Sequence, residues 1–290
     1  MSLALRYATS RDIDALRALW GDCFPGDEAF SDLFFTAIFR PEQTLGYFNE
    51  TGFAAAMLHL LPREISLFGH PLRAGYIFGV GTHPRFRRRG LARDLIDQAF
   101  FEQHLRKIPL CFLLPQERSL VDFYAPFGFR PVGCRRVLTA EPALTGEEIC
   151  DAVHLNALYE AHFADVPHVL RAPADWEMIL REAAGDGARF LAVSGGGYVM
   201  VENGRVREAA GPGVCDRAGE DIGCVRIVEN AAVRAHAEKH RPSLTLPPPG
   251  GDAFCPWNRH ESGSGTEPLE DVVFAGLYMN LLHNDIPPGT

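Results

Sequence analysis

A short segment between an apolar run and a helical run has the residue types that bind a phosphate group. It reads Val80-Gly81-Thr82-His83-Pro84-Arg85-Phe86-Arg87-Arg88-Arg89-Gly90-Leu91-Ala92. The apolar residues before it predict a strand, and the apolar spacing after Gly90 predicts an amphipathic helix. The first turn of such a helix exposes backbone N–H groups at the positive end of its dipole. Because Gly90 also allows the backbone to approach a ligand closely, the expected guest is a phosphate or pyrophosphate.

A second segment, further along the chain, places a tyrosine on a short helix. Leu110-Cys111-Phe112-Leu113-Leu114 is a continuous apolar run, which predicts a fully buried strand. Ser119 is a suitable N-cap for the helix that follows, and Gly128 is a suitable residue to end it. Tyr124 lies on this helix and is the candidate for chemistry.

These two segments together resemble the GCN5-related N-acetyltransferases, the GNAT superfamily. Arg87-Arg88-Arg89-Gly90-Leu91-Ala92 matches the Gln/Arg-x-x-Gly-x-Gly/Ala signature of that family. The second segment is similar to the second family signature, which is a strand, a helix with an aromatic residue and then Gly-Phe. The resemblance implies that acetyl-CoA sits in the splay between the two strands and that no metal takes part. It implies an α/β (α+β) fold, with a mixed, mostly antiparallel sheet flanked by helices.

The resemblance also implies which residues bind acetyl-CoA. The backbone of Val80, Gly81 and Thr82 would bind the pantetheine arm, as a strand edge binds a peptide. The remaining expected residues bind the pyrophosphate through backbone N–H groups, or they add side-chain charge or a hydroxyl group. They are Arg87, Arg88, Arg89, Gly90, Leu91, Ala92, Arg93 and Ser119.

Tyr124 occupies the place of the family's catalytic tyrosine. Its expected role is that of a general acid that protonates the departing CoA thiolate. The reference pKa values of a phenol and a thiol lie within about two units, so we expect the transfer without a large pKa shift. A backbone N–H of the Val80 strand would stabilise the tetrahedral oxyanion.

The general base is left open by the sequence. His59 lies on a strand expected beside the Val80 strand, and His83 ends the Val80 strand itself. A histidine accepts a proton near neutral pH. In tandem members of the family, which the whole chain resembles, the C-terminal carboxylate can enter the active site as the base, so the Thr290 carboxylate is a further candidate. A water chain to an acidic side chain of the second half is another.

Composition and charge exclude several classes of protein. Of 290 residues, 47% are hydrophobic and 22% are charged, as in ordinary globular proteins. The net charge is −9, and no long basic stripe supports nucleic-acid binding. No apolar run has transmembrane length and the N-terminus lacks a leader-like apolar core, so we expect neither membrane association nor export. Seven scattered cysteines without a C-x-x-C pair predict reduced thiols in the cytoplasm, without zinc or disulfides.

The charge is divided unevenly along the chain. Residues 1–140 contain 17 Lys and Arg against 14 Asp and Glu, a net of +3, whereas residues 141–290 contain 11 against 23, a net of −12. The basic half suits CoA, which is a polyanion. The acidic half would favour a cationic amine as the acceptor, whether a small molecule or a peptide, or it serves solubility alone.

The order of predicted elements divides the chain in two. An acetyltransferase domain is expected over 1–140, with separate strands over 52–61 and 63–68 and a helix over 28–39. A second unit is expected over 145–290, with helices over 145–163 and 224–240, loops at 247–251 and 261–265 and an apolar stretch over 272–282. Its element order is similar to the degenerate second domain of tandem acetyltransferases related to the enhanced intracellular survival enzymes. An unrelated α+β extension would also account for this half.

Two functions from different classes follow from these residues. The first is an acetyl-CoA-dependent N-acetyltransferase that acts on a primary amine by direct attack in a ternary complex. The second is a non-catalytic acyl-CoA-binding sensor or scaffold. The acceptor, the preferred acyl-chain length and assembly into a homo-oligomer are left open by the sequence.

Overall fold

The computed structural model describes residues 2–67, 69–117, 119–138, 146–164, 167–211 and 216–228, with the isolated positions 232, 235 and 239. Its helices are α1 (Ile13–Cys23), α2 (Glu28–Leu33), α3 (Leu91–Leu105), α4 (Ser119–Tyr124), α5 (Ala152–Phe163) and α6 (Pro173–Gly185). Its strands are β1 (Ala4–Tyr7), β2 (Thr44–Phe48), β3 (Ala54–Leu67), β4 (His70–Thr82), β5 (Leu110–Leu113), β6 (Arg130–Leu138), β7 (His168–Val169), β8 (Arg189–Ala192), β9 (Tyr198–Glu202), β10 (Arg205–Ala210) and β11 (Asp216–Ile227).

The larger sheet is mixed, as the sequence predicts. Its strand order is β1-β2-β3-β4-β5-β11-β6, and β7 adds to the far end of β3. Among the described pairings of this sheet, only β4 with β5 is parallel. Helices cover both faces: α1, α2 and the turn after α2 pack against one apolar core, and α3 and α4 pack against the other.

The start of α1 shows how local sequence sets an element. Thr9 and Asp12 form a capping box, in which the Thr9 backbone N–H donates to the Asp12 carboxylate at 2.7 Å. Arg6 of β1 donates two hydrogen bonds of 2.8 Å to the same carboxylate. Because the Arg6 side chain and Thr9 stabilise the charged form, the pKa of Asp12 is lowered to about 2. Leu16, Leu19 and other residues on the apolar stripe of α1 then face the sheet.

Two helical predictions are correct only in part. The helix expected over 28–39 is α-helical only to Leu33, and the chain continues as a π-helical turn over Phe34–Ile38. The helix expected over 145–163 begins at Ala152, because the Asp151 carboxylate accepts a hydrogen bond of 2.8 Å from the His154 backbone N–H and caps the helix there.

The two strands expected over 52–61 and 63–68 are one strand, β3. Pro62 lies inside it and pairs with Gly75 of β4. On the other side of β3, β2 pairs only as far as His59, and β7 begins to pair at Ile65. Pro62 therefore sits at a stretch of strand edge where no neighbour requires its missing N–H, which is where a sheet tolerates proline.

The prediction of a helix over 224–240 is wrong at its start. Residues 224–227 belong to β11, which pairs antiparallel with β5 through Cys224–Leu113 and Ile227–Leu110. The other edge of β11 pairs with β6. A strand from beyond the predicted boundary at 140–145 thus lies inside the sheet of the first half, so that boundary does not separate two sheets.

The rest of the second half forms a smaller unit. Strands β10-β9-β8 make a three-stranded antiparallel sheet beside α5 and α6. At its centre the buried Arg171 guanidinium donates two hydrogen bonds, of 3.0 and 3.1 Å, to the Glu208 carboxylate. The Tyr159 and Trp176 rings lie against Arg171, 4.4 and 4.5 Å from the guanidinium. The resemblance of this half to an acetyltransferase domain stays a prediction. The predicted boundary at 140–145 and the expectations for residues 240–290 lie outside the described residues.

Candidate active site

The main opening in the larger sheet lies between β4 and β5. The two strands pair in parallel at Ala74, Gly75 and Tyr76 with Leu110–Phe112. Beyond Tyr76, β4 continues to Thr82, whereas β5 ends at Leu113. From Ile77 onward, the edge of β4 that would continue the parallel ladder is therefore not paired with β5. This opening is the splay that the family resemblance implies.

A bulge shapes this free edge of β4. Phe78 pairs with His59 and Gly81 pairs with Met57, so β4 carries one extra residue between these two pairs. Gly79 lies in the bulge with a φ of +56°. A Cβ at Gly79 would stand 2.7 Å from the Trp20 ring and 2.9 Å from the His59 ring. Only glycine fits, because the position requires both an unusual φ and free space.

The alternation of the backbone separates the roles of Gly81 and Thr82. The His83 N–H donates to the Ala55 carbonyl at 3.0 Å. In an antiparallel pair successive residues turn their backbone groups to opposite sides, so Gly81 faces β3 and Thr82 faces the splay. Of the three residues expected to contact the pantetheine arm, Thr82 therefore has its backbone groups directed toward the splay. Gly81 contributes its small size instead, since a Cβ there would stand 3.0 Å from the Cys23 sulfur.

The predicted phosphate loop adopts a conformation suited to an anion. A short 3₁₀ turn, Pro84–Phe86, leads out of β4, and α3 begins at Leu91. Arg88 and Gly90 have positive φ values, of +61° and +83°. A Cβ at Gly90 would meet nothing within 4 Å, so the space above the start of α3 is open. The N–H groups of Leu91 and of the residues after it in the first turn point to this space.

The arginines of the loop divide into two groups. Arg87 donates through Nε to the Thr82 carbonyl at 3.2 Å, which ties the loop to the end of β4. The Arg93 guanidinium lies 5.4 Å from the centre of the Phe127 ring, which joins the start of α3 to the turn after α4. Arg88 is exposed, as is Arg89, whose guanidinium lies 5.0 Å from the Phe86 ring. The exposed guanidinium groups provide positive charge beside the helix N-terminus.

Tyr124 lies on the face of the sheet that α3 and α4 cover. It belongs to one apolar cluster with Ile77 and Val80 of β4 and Leu113 of β5. Its side chain is buried, and within the described part of the chain its hydroxyl makes no hydrogen bond. Burial, together with the nearby Cys224 thiol, raises the pKa of Tyr124 to about 12. The phenol is therefore neutral and able to donate at every physiological pH.

Burial raises the pKa of a thiol in the same cluster as well, that of Cys224 to about 12. The expectation that the phenol and the leaving thiol are closely matched therefore stays a prediction. A hydrogen bond from Tyr124 would also stabilise the sulfur as negative charge develops on it.

Ser119 lies at the start of α4 as its first helical residue and not as the predicted N-cap, and its hydroxyl already has a partner. Ser119 is exposed, and it donates to the Glu117 carboxylate.

The two candidate histidines have different environments. His59 is fully buried, and burial lowers its pKa to about 3, which makes it a poor general base near neutral pH. His83 accepts a hydrogen bond from the Arg85 N–H at Nδ1 (3.1 Å), and its Nε2 lies 3.4 Å from the Asp22 carboxylate. Thr290 lies outside the described residues.

Two residues at this site are not among those expected from the sequence. Gly79 forms the bulge, and a glycine inside an apolar strand is the signal that could have indicated it. Cys224 comes from β11 and lies near Tyr124 in the same apolar cluster. No sequence pattern connects residues so far apart in the chain.

Three further features of the described residues bear on the site. No described helix is long and apolar enough to cross a membrane. Within the same residues, no group of three or more His, Cys, Asp and Glu side chains is arranged to hold a metal ion. The described cysteines that carry free thiols are Cys23, Cys111, Cys150 and Cys224.

Comparison with known proteins agrees with this geometry. The family model described as an acetyltransferase (GNAT) domain matches residues 4–132. A GCN5-related N-acetyltransferase from Anabaena variabilis is 17% identical and has a TM-score of 0.62, over 80% of this chain and 74% of that chain. Eis1 from Mycobacterium abscessus is 15% identical and has a TM-score of 0.60, over 81% and 75%. A protein of unknown function from Enterococcus faecalis, described as a probable N-acyltransferase, is 14% identical and has a TM-score of 0.60, over 79% and 73%.

No curated protein matches the sequence. At these identities the solved structures show the fold, and the family model adds the sequence match. Residues 4–132 of this protein match the model of a GNAT acetyltransferase domain, and the solved acetyltransferase structures share the fold.

Proposed function

We propose that this protein is an acetyl-CoA-dependent N-acetyltransferase that moves the acetyl group to a primary amine by direct attack in a ternary complex. The Tyr124 hydroxyl is the observation that carries the proposal. It is a neutral donor without a described protein partner, and it lies in one cluster with residues of both strands of the splay. A group placed there can assist the departure of a thiolate held between the strands.

The loop before α3 supports acetyl-CoA as the donor. Its open space above Gly90, its free N–H groups and its exposed arginines fit a pyrophosphate. The Thr82 backbone, which faces the splay, fits the amide groups of a pantetheine arm.

The proposed reaction has two stages. The neutral amine attacks the thioester carbonyl carbon, a C–N bond forms, and the carbonyl electrons move to the oxygen. A backbone N–H at the Gly79–Val80 bulge stabilises this oxyanion. The oxyanion then collapses, the C–S bond breaks, and the sulfur receives the Tyr124 hydrogen bond and, in the end, a proton. The amine proton leaves to a base, for which a water chain to an acidic group is our choice over His59.

One observation favours the second candidate, a non-catalytic acyl-CoA-binding sensor or scaffold. Burial lowers the pKa of His59 to about 3, so this candidate general base is ineffective near neutral pH. Such a protein would bind acetyl-CoA without transferring the acetyl group, and the experiments below separate the two candidates.

The first experiment measures binding of the donor. We expect acetyl-CoA to raise the melting temperature of the full chain, because a ligand that binds only the folded state stabilises it. Gly90→Glu should abolish this shift by placing negative charge where the pyrophosphate binds. Gly90→Ala is the matched control, because it carries the same positive-φ strain without the charge and has open space for its methyl group. If Gly90→Glu retains the wild-type shift, the phosphate-loop assignment is wrong.

The second experiment measures turnover. We expect Tyr124→Phe to lower kcat by a factor of about 10²–10⁴, with little change in acetyl-CoA affinity, since it removes a proton donor and preserves the ring. Tyr47→Phe is the control, because Tyr47 bonds to Asp94 at 2.8 Å on the surface. Unchanged turnover in Tyr124→Phe would remove Tyr124 from the mechanism, and acetyl-CoA binding without transfer to any amine would favour the sensor.

A further inference from the structure

His83 connects the predicted phosphate loop, residues 84–90, with other elements of the first half of the chain. It follows β4 directly and is the N-cap of the 3₁₀ turn Pro84–Phe86. Its Nδ1 atom accepts a hydrogen bond of 3.1 Å from the Arg85 backbone N–H. Its Nε2 atom lies 3.4 Å from the Asp22 carboxylate of α1. Only 15% of the His83 side chain is exposed, so the ring is packed in place and is not free in solvent.

These two contacts determine where the ring carries its proton. A backbone N–H is only a donor, so Nδ1 must present its lone pair to Arg85. The proton of the neutral ring is therefore on Nε2, where it faces the Asp22 carboxylate. Neither nitrogen keeps a free lone pair. The neutral His83 ring consequently has no position at which it could accept a proton from an amine.

Aromatic contacts connect the same ring with two further parts of the chain. The centre of the His83 ring lies 5.2 Å from that of Phe53, which directly precedes β3, and 5.9 Å from that of Phe86. The rings of both pairs are close to perpendicular, at 69° and 74°. The Phe86 ring in turn lies 5.0 Å from the Arg89 guanidinium. An exposed cation beside the start of α3 is thus supported by a ring that packs against His83.

Other contacts hold the loop only to the end of β4. The Phe86 N–H donates to the His83 carbonyl at 2.8 Å, and the Arg87 side chain donates to the Thr82 carbonyl at 3.2 Å. The His83 side chain adds α1 and the residue before β3 to these connections. A loop that is already in its binding conformation binds a ligand more tightly, because less conformational entropy is lost on binding.

We propose that His83 is a positioning residue for the donor and is not the general base. Its ring holds the phosphate loop and the Arg89 guanidinium in place for the pyrophosphate of acetyl-CoA. The sequence leaves His83 open as a base, and its occupied ring nitrogens argue against that role. This inference rests on the proposed function for the identity of the donor.

The test compares variants of His83 in the full chain. His83→Asn keeps an acceptor oxygen in the place of Nδ1, and asparagine is a preferred N-cap residue. His83→Leu removes this acceptor and the contact with Asp22, and it keeps an apolar side chain beside Phe53 and Phe86. We expect His83→Leu to raise the KM and the calorimetric dissociation constant for acetyl-CoA about 5- to 20-fold, with kcat changed less than about twofold. His83→Asn should recover most of the lost affinity. His154→Leu is the matched control, because it makes the same exchange at an exposed residue of α5.

A general base at this position would give the opposite pattern. His83→Asn would then lower kcat as much as His83→Leu does, by about 10²-fold or more, without a change in the KM for acetyl-CoA. That result would overturn the inference and leave the acetyltransferase proposal standing. Wild-type affinity for acetyl-CoA in His83→Leu would also overturn it. If His83→Leu does not fold, Asp22→Ala removes only the contact with α1, from an exposed side chain, and should raise the KM for acetyl-CoA about two- to fivefold.

The dissociation constants separate this inference from the proposed function. If the wild-type protein binds acetyl-CoA but transfers no acetyl group, the proposed function fails, and weaker binding by His83→Leu with recovery in His83→Asn still supports the positioning role. If the wild-type protein does not bind acetyl-CoA, both fail.

Discussion

At the scale of single residues, burial sets the chemistry of two polar side chains in opposite ways. Burial raises the pKa of Tyr124 to about 12 and keeps its proton on the phenol. Burial lowers the pKa of His59 to about 3 and keeps its ring neutral. In both cases the charged form is the one that loses its hydration. Tyr124 is thereby preserved as a donor, and His59 is not an effective base near neutral pH.

His59 gives a prediction about stability at low pH. Its folded pKa, about 3, lies below the unfolded reference of about 6.5, so its contribution is complete above pH 6.5 and is lost as the pH falls toward 3. Between pH 6.5 and 4.5, we expect the wild-type free energy of unfolding to fall relative to that of His59→Phe by about 1.4 kcal/mol per pH unit at most. Urea unfolding at several pH values measures this difference.

His154→Gln is the control for that series. His154 is exposed near the start of α5, and its replacement should leave the wild-type pH dependence in place. Parallel curves for wild type and His59→Phe would show that His59 is protonated in the folded state and that its environment is more polar than its contacts with the Trp20 and Phe34 rings imply.

At the scale of elements, the β4 bulge connects the fold with the site. One extra residue in β4 turns the strand edge toward the splay, and α1 packs beneath it through Trp20. The bulge is consequently held from below by the Trp20 side chain.

Gly79→Ala tests this arrangement. The methyl group would meet the Trp20 and His59 rings at 2.7 and 2.9 Å, in addition to the cost of a positive φ. We expect a loss of about 2–4 kcal/mol in the free energy of unfolding, together with weaker acetyl-CoA binding. Gly52→Ala is the matched control, because Gly52 has a φ of +85° and open space around it. An equal loss in both variants would mean that the packing against Trp20 is not tight.

At the scale of the whole molecule, β11 makes the two halves of the chain interdependent. It lies between β5 and β6, which have no described pairing with each other. Along the chain, residues 146–211 lie between β6 and β11, which are neighbours in the sheet. The β7 segment of this insertion pairs with β3 and places Val169 in the core beside α1.

We therefore expect residues 1–140 alone not to fold cooperatively, because removing β11 leaves β5 and β6 without their shared partner. Circular dichroism and urea unfolding measure this. The control replaces residues 139–215 by a short glycine-containing turn, which is feasible because Leu138 lies opposite Asp216. This shortened chain should retain more of the sheet than 1–140 does. A cooperative transition and acetyl-CoA binding in 1–140 would contradict the role given to β11.

The sequence alone was sufficient to predict the elements whose signals are local. The apolar patterns of α3 and β5, the stop at Gly128 and the strand–loop–helix order around Gly90 depend on neighbouring residues, and the structure agrees with them. The positions of Tyr124 and of the phosphate loop relative to the splay followed from the family resemblance.

Tertiary structure decided what depends on residues distant in the chain. An apolar segment such as 224–227 suits a strand or a helix equally, and only the free edges of β5 and β6 select the strand. The pKa values of Tyr124 and His59 depend on which apolar side chains remove their water. Hydration and charge act through space, so the sequence determined the parts of this site and the packing determined their chemistry.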